Sequence, residues 1–157
     1  MTDERLGDGL WRAVWRLPRG GGIVFRHHAT APAERRRLFA RLLRIARVRG
    51  LVLVRAGDVA MRGEMGVHGG RGAGLVTWAV HDRREAAAAR RARADVAFVS
   101  PVFATRSHPG APVLGVRRAA ALARGLPMVR VALGGMDAQR FARVRGFEGW
   151  AGIDAWS

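Results

Sequence analysis

The chain has 157 residues, about half of them apolar, and a formal net charge of +16, which suits one domain with a sizeable core. It contains no cysteine, so disulfides, thiolate catalysis and cysteine–zinc sites are excluded. No apolar run of 18 residues predicts a membrane span, and residues 1–5 do not resemble a signal peptide, so a cytoplasmic location is expected.

The positive charge is carried entirely by arginine, while Lys, Asn and Tyr are absent. GC-rich codons produce this bias, so the charge alone does not require a nucleic-acid ligand. The arginines also fall on predicted helix faces, as in segments 34–37 and 90–93, and are not interleaved with aromatic residues as in single-strand binders. We interpret them as a solvated surface with a weak general attraction to polyanions. A polyanion-binding protein stays open as an alternative.

Short β-branched runs alternate along the chain with amphipathic segments rich in Ala and Arg. Residues 1–3 are interpreted as the tail of a truncated first strand, and residues 8–17 as its helix. Pro32 suits a first helical turn, and Leu38, Leu42 and Ile45 recur at helical spacing. The further predicted strands cover residues 23–25, 51–54, 65–68, 75–80, 95–103, 128–133 and 149–153. The further predicted helices cover residues 32–48, 83–93, 116–124 and 137–145, with a short helical turn over 57–62.

This alternation predicts a parallel sheet with right-handed crossovers. Eight units predict one TIM-type (β/α)8 barrel domain over residues 1–157, shortened against the roughly 250 residues of such barrels. Only residues 69–74 separate the strand ending at His68 from the strand beginning at Leu75, whereas a parallel crossover normally takes about a dozen residues. One helix is therefore predicted to be missing between the fourth and fifth strands. A second copy of the chain could cover the apolar edges left there, which would give a homodimer.

Polar residues follow nearly every predicted strand, and all five histidines are among them. The active site of an α/β barrel lies where its strands end and its loops begin, so the sequence predicts one site at this rim. In chain order the rim residues are Arg26, His27, His28, Arg55, His68, His81, Asp82, Thr105, Arg106, Ser107, His108, Gly134, Gly135, Asp137 and Asp154.

Three chemistries could use such a rim. Gly134 and Gly135 follow a strand and precede a helix that Asp137 is expected to cap, an arrangement typical of phosphate binding. His81 could act as a general acid or base near neutral pH, and Asp82 is not expected to orient it because adjacent strand residues point to opposite faces. A metal site from the histidines and an aspartate matches no defined ligand spacing.

Several segments resemble, in order, the motifs of the thiamine phosphate synthase/TenI family. S-P-V-F-A-T-R-S-H at 100–108, followed by A-P at 111–112 and L-G at 114–115, resembles the family loop G-P-V-F-P-T-x-T-K…A-P-x-G. G-V-H-G at 66–69 is similar to G-V-H-L-G-Q, A-V-H at 79–81 to S-T-H, and A-L-G-G-M at 132–136 to A-I-G-G-I. Phe25 and Arg26 match the L-R of Q-L-R-E-K, and residues 1–3 resemble the end of L-I-T-D.

The resemblance implies a β/α barrel that acts in thiamine biosynthesis. In this family, the synthase joins an aminopyrimidine diphosphate to a thiazole phosphate with magnesium. TenI-type members instead tautomerise a thiazole phosphate carboxylate, with a histidine as acid and base. The resemblance also implies that the loop after the sixth strand covers the active site and contacts phosphate.

The chain departs from the family pattern where the family binds magnesium and diphosphate. The family's Asn-Asp pair is replaced by Arg55-Ala56, and its second metal-binding aspartate falls in the gap of the missing helix. The lysine of Q-L-R-E-K is replaced by His28, and the loop lysine by His108. Asp154 stands where the family has a serine after the last strand. Without the metal, the synthase reaction loses electrostatic help with its leaving diphosphate, for which Arg55 and Arg106 could substitute in part.

We therefore expect a thiazole phosphate-binding protein with tautomerase-type chemistry at His81, its predicted catalytic residue. Full synthase activity and a non-catalytic binding or regulatory relative remain alternatives. No metal ligand or cofactor is predicted, since magnesium is needed only for the full synthase reaction. Neither a membrane nor a nucleic acid is expected as a partner. The predicted substrate- and phosphate-binding residues are Arg26, His28, Arg55, His68, Thr105, Arg106, Ser107, His108, Gly134, Gly135 and Asp154.

Overall fold

The computed structural model describes residues 1–105, 110 and 112–156, apart from the side chain of Asp154. Within these residues, seven strands form one sheet in chain order, and every neighbouring pair is parallel. Because the connections between neighbouring strands are right-handed and run in one direction across the sheet, they all lie on the same face of it. The sheet therefore curls with its other face on the inside. The strands are β1 Gly22–Phe25, β2 Val52–Ala56, β3 Gly66–His68, β4 Leu75–Val80, β5 Val96–Val99, β6 Val129–Leu133 and β7 Gly149–Ala151.

The described α-helices are α1 Gly9–Arg16, α2 Pro32–Arg49, α3 Arg83–Arg91, α4 Gly115–Arg124 and α5 Ala138–Phe141, with 3₁₀ turns at Glu4–Leu6 and Asp154–Trp156. The predicted helical turn at 57–62 is wrong, since those residues form bends and turns. Helix α5 is shorter than predicted because the chain tightens into i to i+3 hydrogen bonds at Arg143 and Val144. Strand β5 ends at Val99, before Pro101, which has no N–H for a ladder. No described helix is long and apolar enough to cross a membrane.

The first two residues connect the two edge strands. The Thr2 N–H donates to the Val24 carbonyl of β1 at 2.9 Å, and the Met1 amino group donates to the Gly152 carbonyl after β7 at 3.0 Å. The prediction of eight strands is therefore confirmed only in part, because the described chain forms seven strands and this two-residue link.

Alternation along the strands separates an outer core from an inner one. In β2, Leu53 points outward into the cluster that includes Phe39 and Leu42 of α2. Val54 and Ala56 point inward and pack with Val24 and Phe98 in the concave interior. The ends of the strands therefore present inward-facing side chains to one enclosed space.

Glycines allow β3 to be joined to β4 without a helix. A Cβ atom at Gly66 would overlap the carbonyl of Leu75, its register partner in β4, and one at Gly72 would overlap the side chain of Val67. The connection therefore lies directly on Val67, which is fully buried although no helix covers it. The predicted absence of a helix between these two strands is confirmed.

Candidate functional site

A cavity of about 1040 Å³ opens at the carboxyl ends of the strands. Residues from or following all seven strands line it, together with residues of α4 and α5. The candidate residues from the sequence that line this cavity are Arg26, His28, His68, His81, Thr105, Gly134 and Gly135. The structure therefore brings together the predicted phosphate glycines, the predicted catalytic histidine, and Arg26 and His28, which follow β1.

Arg55 does not line this cavity, which corrects its assignment as a ligand-binding residue. Arg55 lies two residues after Leu53 in β2, so its side chain points to the same outer face of the sheet. It is buried there and donates from Nε to Glu64 Oε2 at 2.8 Å. A second contact runs to the carbonyl of Gly57. Arg55 thus forms a buried structural ion pair. The predictions for Arg106, Ser107 and His108, and for the side chain of Asp154, fall outside the described residues.

His81 is held at the mouth of the cavity by Glu85 of α3. Its Nδ1 atom lies 2.7 Å from Glu85 Oε2, and its backbone N–H donates to the same oxygen at 2.6 Å. Asp82 caps α3 by accepting from the Glu85 N–H at 2.8 Å and, as predicted from strand alternation, makes no contact that orients His81. Sequence reasoning missed Glu85. The available signal was a capping-box spacing, Asp82 to Glu85, directly after a histidine.

His68 lies deeper in the cavity and is largely screened from water. Its Nδ1 is 2.8 Å from the hydroxyl of Thr77, and its ring packs edge-on against Phe98 with centroids 5.6 Å apart. Burial lowers the pKa of His68 to about 4, assisted by the nearby positive charge of Arg26. His68 is therefore neutral at neutral pH and contributes hydrogen bonding without charge.

The lowered pKa of His68 predicts a loss of stability in acid. In the unfolded chain a histidine pKa is about 6.5, so the unfolded state binds this proton first as the pH falls. The stability contributed by neutral His68 is thus present above pH 6.5 and is lost as the pH falls toward its folded pKa of about 4. Between pH 7 and 4 we expect the wild type to lose about 3 kcal/mol of unfolding free energy that His68→Gln does not lose.

Urea denaturation of both proteins across this pH range measures the difference. Burial also lowers the pKa values of the amino terminus and His27. Because both groups are present in both proteins, their contributions to the pH dependence of stability largely cancel in the difference. Parallel profiles for wild type and variant would contradict the prediction.

Arg26 is positioned by contacts to the backbone that follows β1. The Thr2 hydroxyl accepts from the Arg26 N–H at 3.0 Å and lies 3.0 Å from Nδ1 of His27. Arg35 of α2 donates to the carbonyls of His27 at 3.0 Å, Arg26 at 3.3 Å and Ala56 at 2.7 Å. His27 itself is buried and stacked on Phe25, so it has a structural role.

Arg35 corrects the interpretation of segment 34–37 as a wholly solvated face. Its side chain is buried and ties the ends of β1 and β2 together. Arg35→Met is expected to lower the unfolding free energy by about 3 kcal/mol, because buried carbonyls that lose their donor each cost about 1–3 kcal/mol. Arg36→Met, one residue further along the exposed face, is the matched control and should change it by less than about 0.5 kcal/mol. Equal urea midpoints for the two variants would contradict this role.

Gly134 and Gly135 turn the chain sharply after β6. Both have positive φ angles, +92° and +59°, and a Cβ on Gly134 would lie 2.7 Å from Pro101. The glycines thus let the backbone pass close to the segment that follows β5. In that segment, the Phe103 N–H donates to the Gly134 carbonyl at 3.1 Å. Asp137 caps α5 as predicted, accepting from the Arg140 N–H at 2.8 Å. Because α5 has only four residues, its dipole adds little to anion binding, and side-chain cations matter more.

The charged groups around the cavity favour an anion. Among the described residues, Arg26, Arg118 and Arg140 line it, whereas the described carboxylate that lines it, Asp137, lies 3.7 Å from Arg140. Among the described residues no three His, Cys, Asp or Glu side chains are grouped to hold a metal ion. Magnesium prefers carboxylate and phosphate oxygens, and the described carboxylate in the lining is Asp137.

Comparisons with known proteins bear on this cavity and on the fold. A family model described as thiamine monophosphate synthase, TMP-TENI, matches residues 71–156, the part that contains His81, Thr105 and both glycines. No curated protein matches the chain. Among solved structures, a thiamine phosphate pyrophosphorylase from Pyrococcus furiosus matches with a TM-score of 0.82 at 20% identity, over 98% of this chain and 83% of that one. That protein and this chain share a fold.

Proposed function

The chain belongs to the thiamine monophosphate synthase/TenI family, and from this premise we propose that its cavity binds a thiazole phosphate on which His81 moves a proton. The observation that carries the proposal is the placement of His81 at the mouth of a cavity whose described lining includes Arg26, Arg118 and Arg140. The arginines match the charge of a phosphate ester, and the imidazole supplies the acid and base.

The proposed step is a tautomerisation, which needs no second reactant. Nε2 of His81 takes a proton from carbon as that C–H bond breaks, and the electron pair is delocalised into the heterocycle. The same imidazolium then returns the proton to another atom of the ligand. The reaction is balanced because the proton and the electron pair both stay within the complex of ligand and histidine.

The family description and the structural match favour a second candidate, the synthase reaction. In the family this reaction uses magnesium to bind and neutralise the diphosphate. At the family's Asn-Asp position this chain has Arg55, which is tied to Glu64 on the outer face. For this reason we rank tautomerisation above the synthase reaction.

Two measurements test the proposal. Calorimetry compares binding of thiazole phosphate with binding of the dephosphorylated thiazole alcohol, and NMR in D₂O follows conversion of the thiazole phosphate carboxylate tautomers. Phosphate-dependent binding together with tautomer conversion is the expected result. Binding without conversion would support a non-catalytic relative. Magnesium-dependent formation of thiamine phosphate would support the synthase instead, and the absence of phosphate-dependent binding would overturn all three readings.

A further inference from the structure

Glu85 contacts His81 in a way that helix capping alone does not require. A single carboxylate oxygen, Oε2, lies 2.7 Å from the ring Nδ1 and 2.6 Å from the backbone N of His81. The Glu85 backbone is fixed in turn, because its N–H donates to Asp82 Oδ1 at the start of α3. The carboxylate therefore holds both the main chain and the ring of His81.

This contact decides which ring nitrogen carries the proton. An ionised carboxylate can only accept a hydrogen bond, so the neutral imidazole must have its hydrogen on Nδ1. Nε2, on the other side of the ring, then has the free electron pair. His68, a described histidine that also lines this cavity, has a neutral hydroxyl as its ring partner, that of Thr77, and receives no such constraint.

We propose that Glu85 is a positioning residue that keeps His81 in the Nδ1–H tautomer, with Nε2 as the atom that accepts the ligand proton. The kinetic part of this inference rests on the proposed function, whereas the position of the proton does not. When Nε2 gains a hydrogen and the ring becomes positively charged, the carboxylate also stabilises that charge. Glu85 itself neither gains nor loses a proton.

Glu85→Met removes both contacts of Oε2 and keeps the Asp82 cap of α3, which is made through the backbone N–H of residue 85. With no acceptor facing Nδ1, nothing holds the ring hydrogen there, and the imidazole takes the Nε2–H form that it favours in water. The kcat for tautomerisation should fall about 10²-fold with little change in KM. This is less than for a buried triad, where a wrong tautomer costs about 10⁴, because both side chains are about half exposed and water can redistribute the proton.

The experiment is ¹⁵N NMR of the His81 ring in the full chain, in wild type and Glu85→Met, with kcat and KM measured on the same samples. Glu148→Met removes a comparably exposed carboxylate, paired with Arg130 of β6, and is the matched control, expected to leave both the His81 shifts and the kinetics unchanged. Shifts showing Nδ1–H in wild type and Nε2–H in Glu85→Met are the expected result.

Failure of the inference and failure of the proposed function give different results. A wild-type ring protonated mainly on Nε2, or the same tautomer in both proteins, overturns the role of Glu85. An unchanged kcat in Glu85→Met despite a changed tautomer also overturns it. Inactive wild type with the expected tautomer change overturns the proposed reaction, but supports the placement of the proton by Glu85.

Discussion

Gly66→Ala is expected to destabilise the fold by about 3 kcal/mol, at the upper end of the range for overpacked sites. The added Cβ would overlap the carbonyl of Leu75, its partner in the parallel pairing of β3 and β4. Neither group can move away by a side-chain rotation, so relief requires the two strands to separate. No helix covers this pair, so the backbone pairing of the two strands, which includes the Leu75 N–H to Met65 and Gly69 N–H to Thr77 hydrogen bonds, is what the added Cβ would disturb.

Gly70→Ala in the same connection is the matched control. No atom lies within 4 Å of a Cβ built there, so its unfolding free energy should stay within about 0.5 kcal/mol of the wild type. Urea denaturation at neutral pH measures both variants. If Gly66→Ala were as stable as Gly70→Ala, the short connection would not depend on the close contact described here.

His81→Asn should reduce the kcat for tautomerisation by 10²- to 10⁴-fold, the usual range for a lost acid–base group. Binding of thiazole phosphate should change by less than about threefold, because the proposed phosphate contacts come from other residues. Stopped assays for conversion and calorimetry for binding give the two quantities separately.

The unfolding free energy of His81→Asn serves as the control. The side chain is half exposed, so we expect it to change by less than about 1 kcal/mol. A variant that converts the tautomers at the wild-type rate would remove His81 from the mechanism, whatever its effect on binding.

The sequence predicted the architecture well because strand and helix periodicities differ clearly along this chain. The six-residue gap after His68 could be read as a missing helix, since chain length limits what a crossover can contain. The clustering of Arg26, His68 and His81 could be predicted because parallel strands end at one edge. The turn at 57–62 was misassigned because a short segment has too few residues for a periodicity to decide.

Side-chain orientation at strand ends was harder to predict. Arg55 was assigned to the cavity because it follows a predicted strand, but its parity with Leu53 sends it outward to Glu64. Arg35 looks like its exposed neighbours in sequence, and only the packing of α2 on the strand ends buries it. Glu85 was missed because its partner, His81, lies two residues before the helix that carries Glu85.

The central claim is that one cavity gathers a phosphate site and the acid–base histidine. A crystal structure of the chain soaked with thiazole phosphate tests it most directly. We predict the phosphate next to Gly134 and Gly135, within reach of the cavity arginines, and the thiazole ring beside Nε2 of His81. Ligand bound outside this cavity, or a bound thiazole with the His81 ring turned out into solvent, would contradict the account.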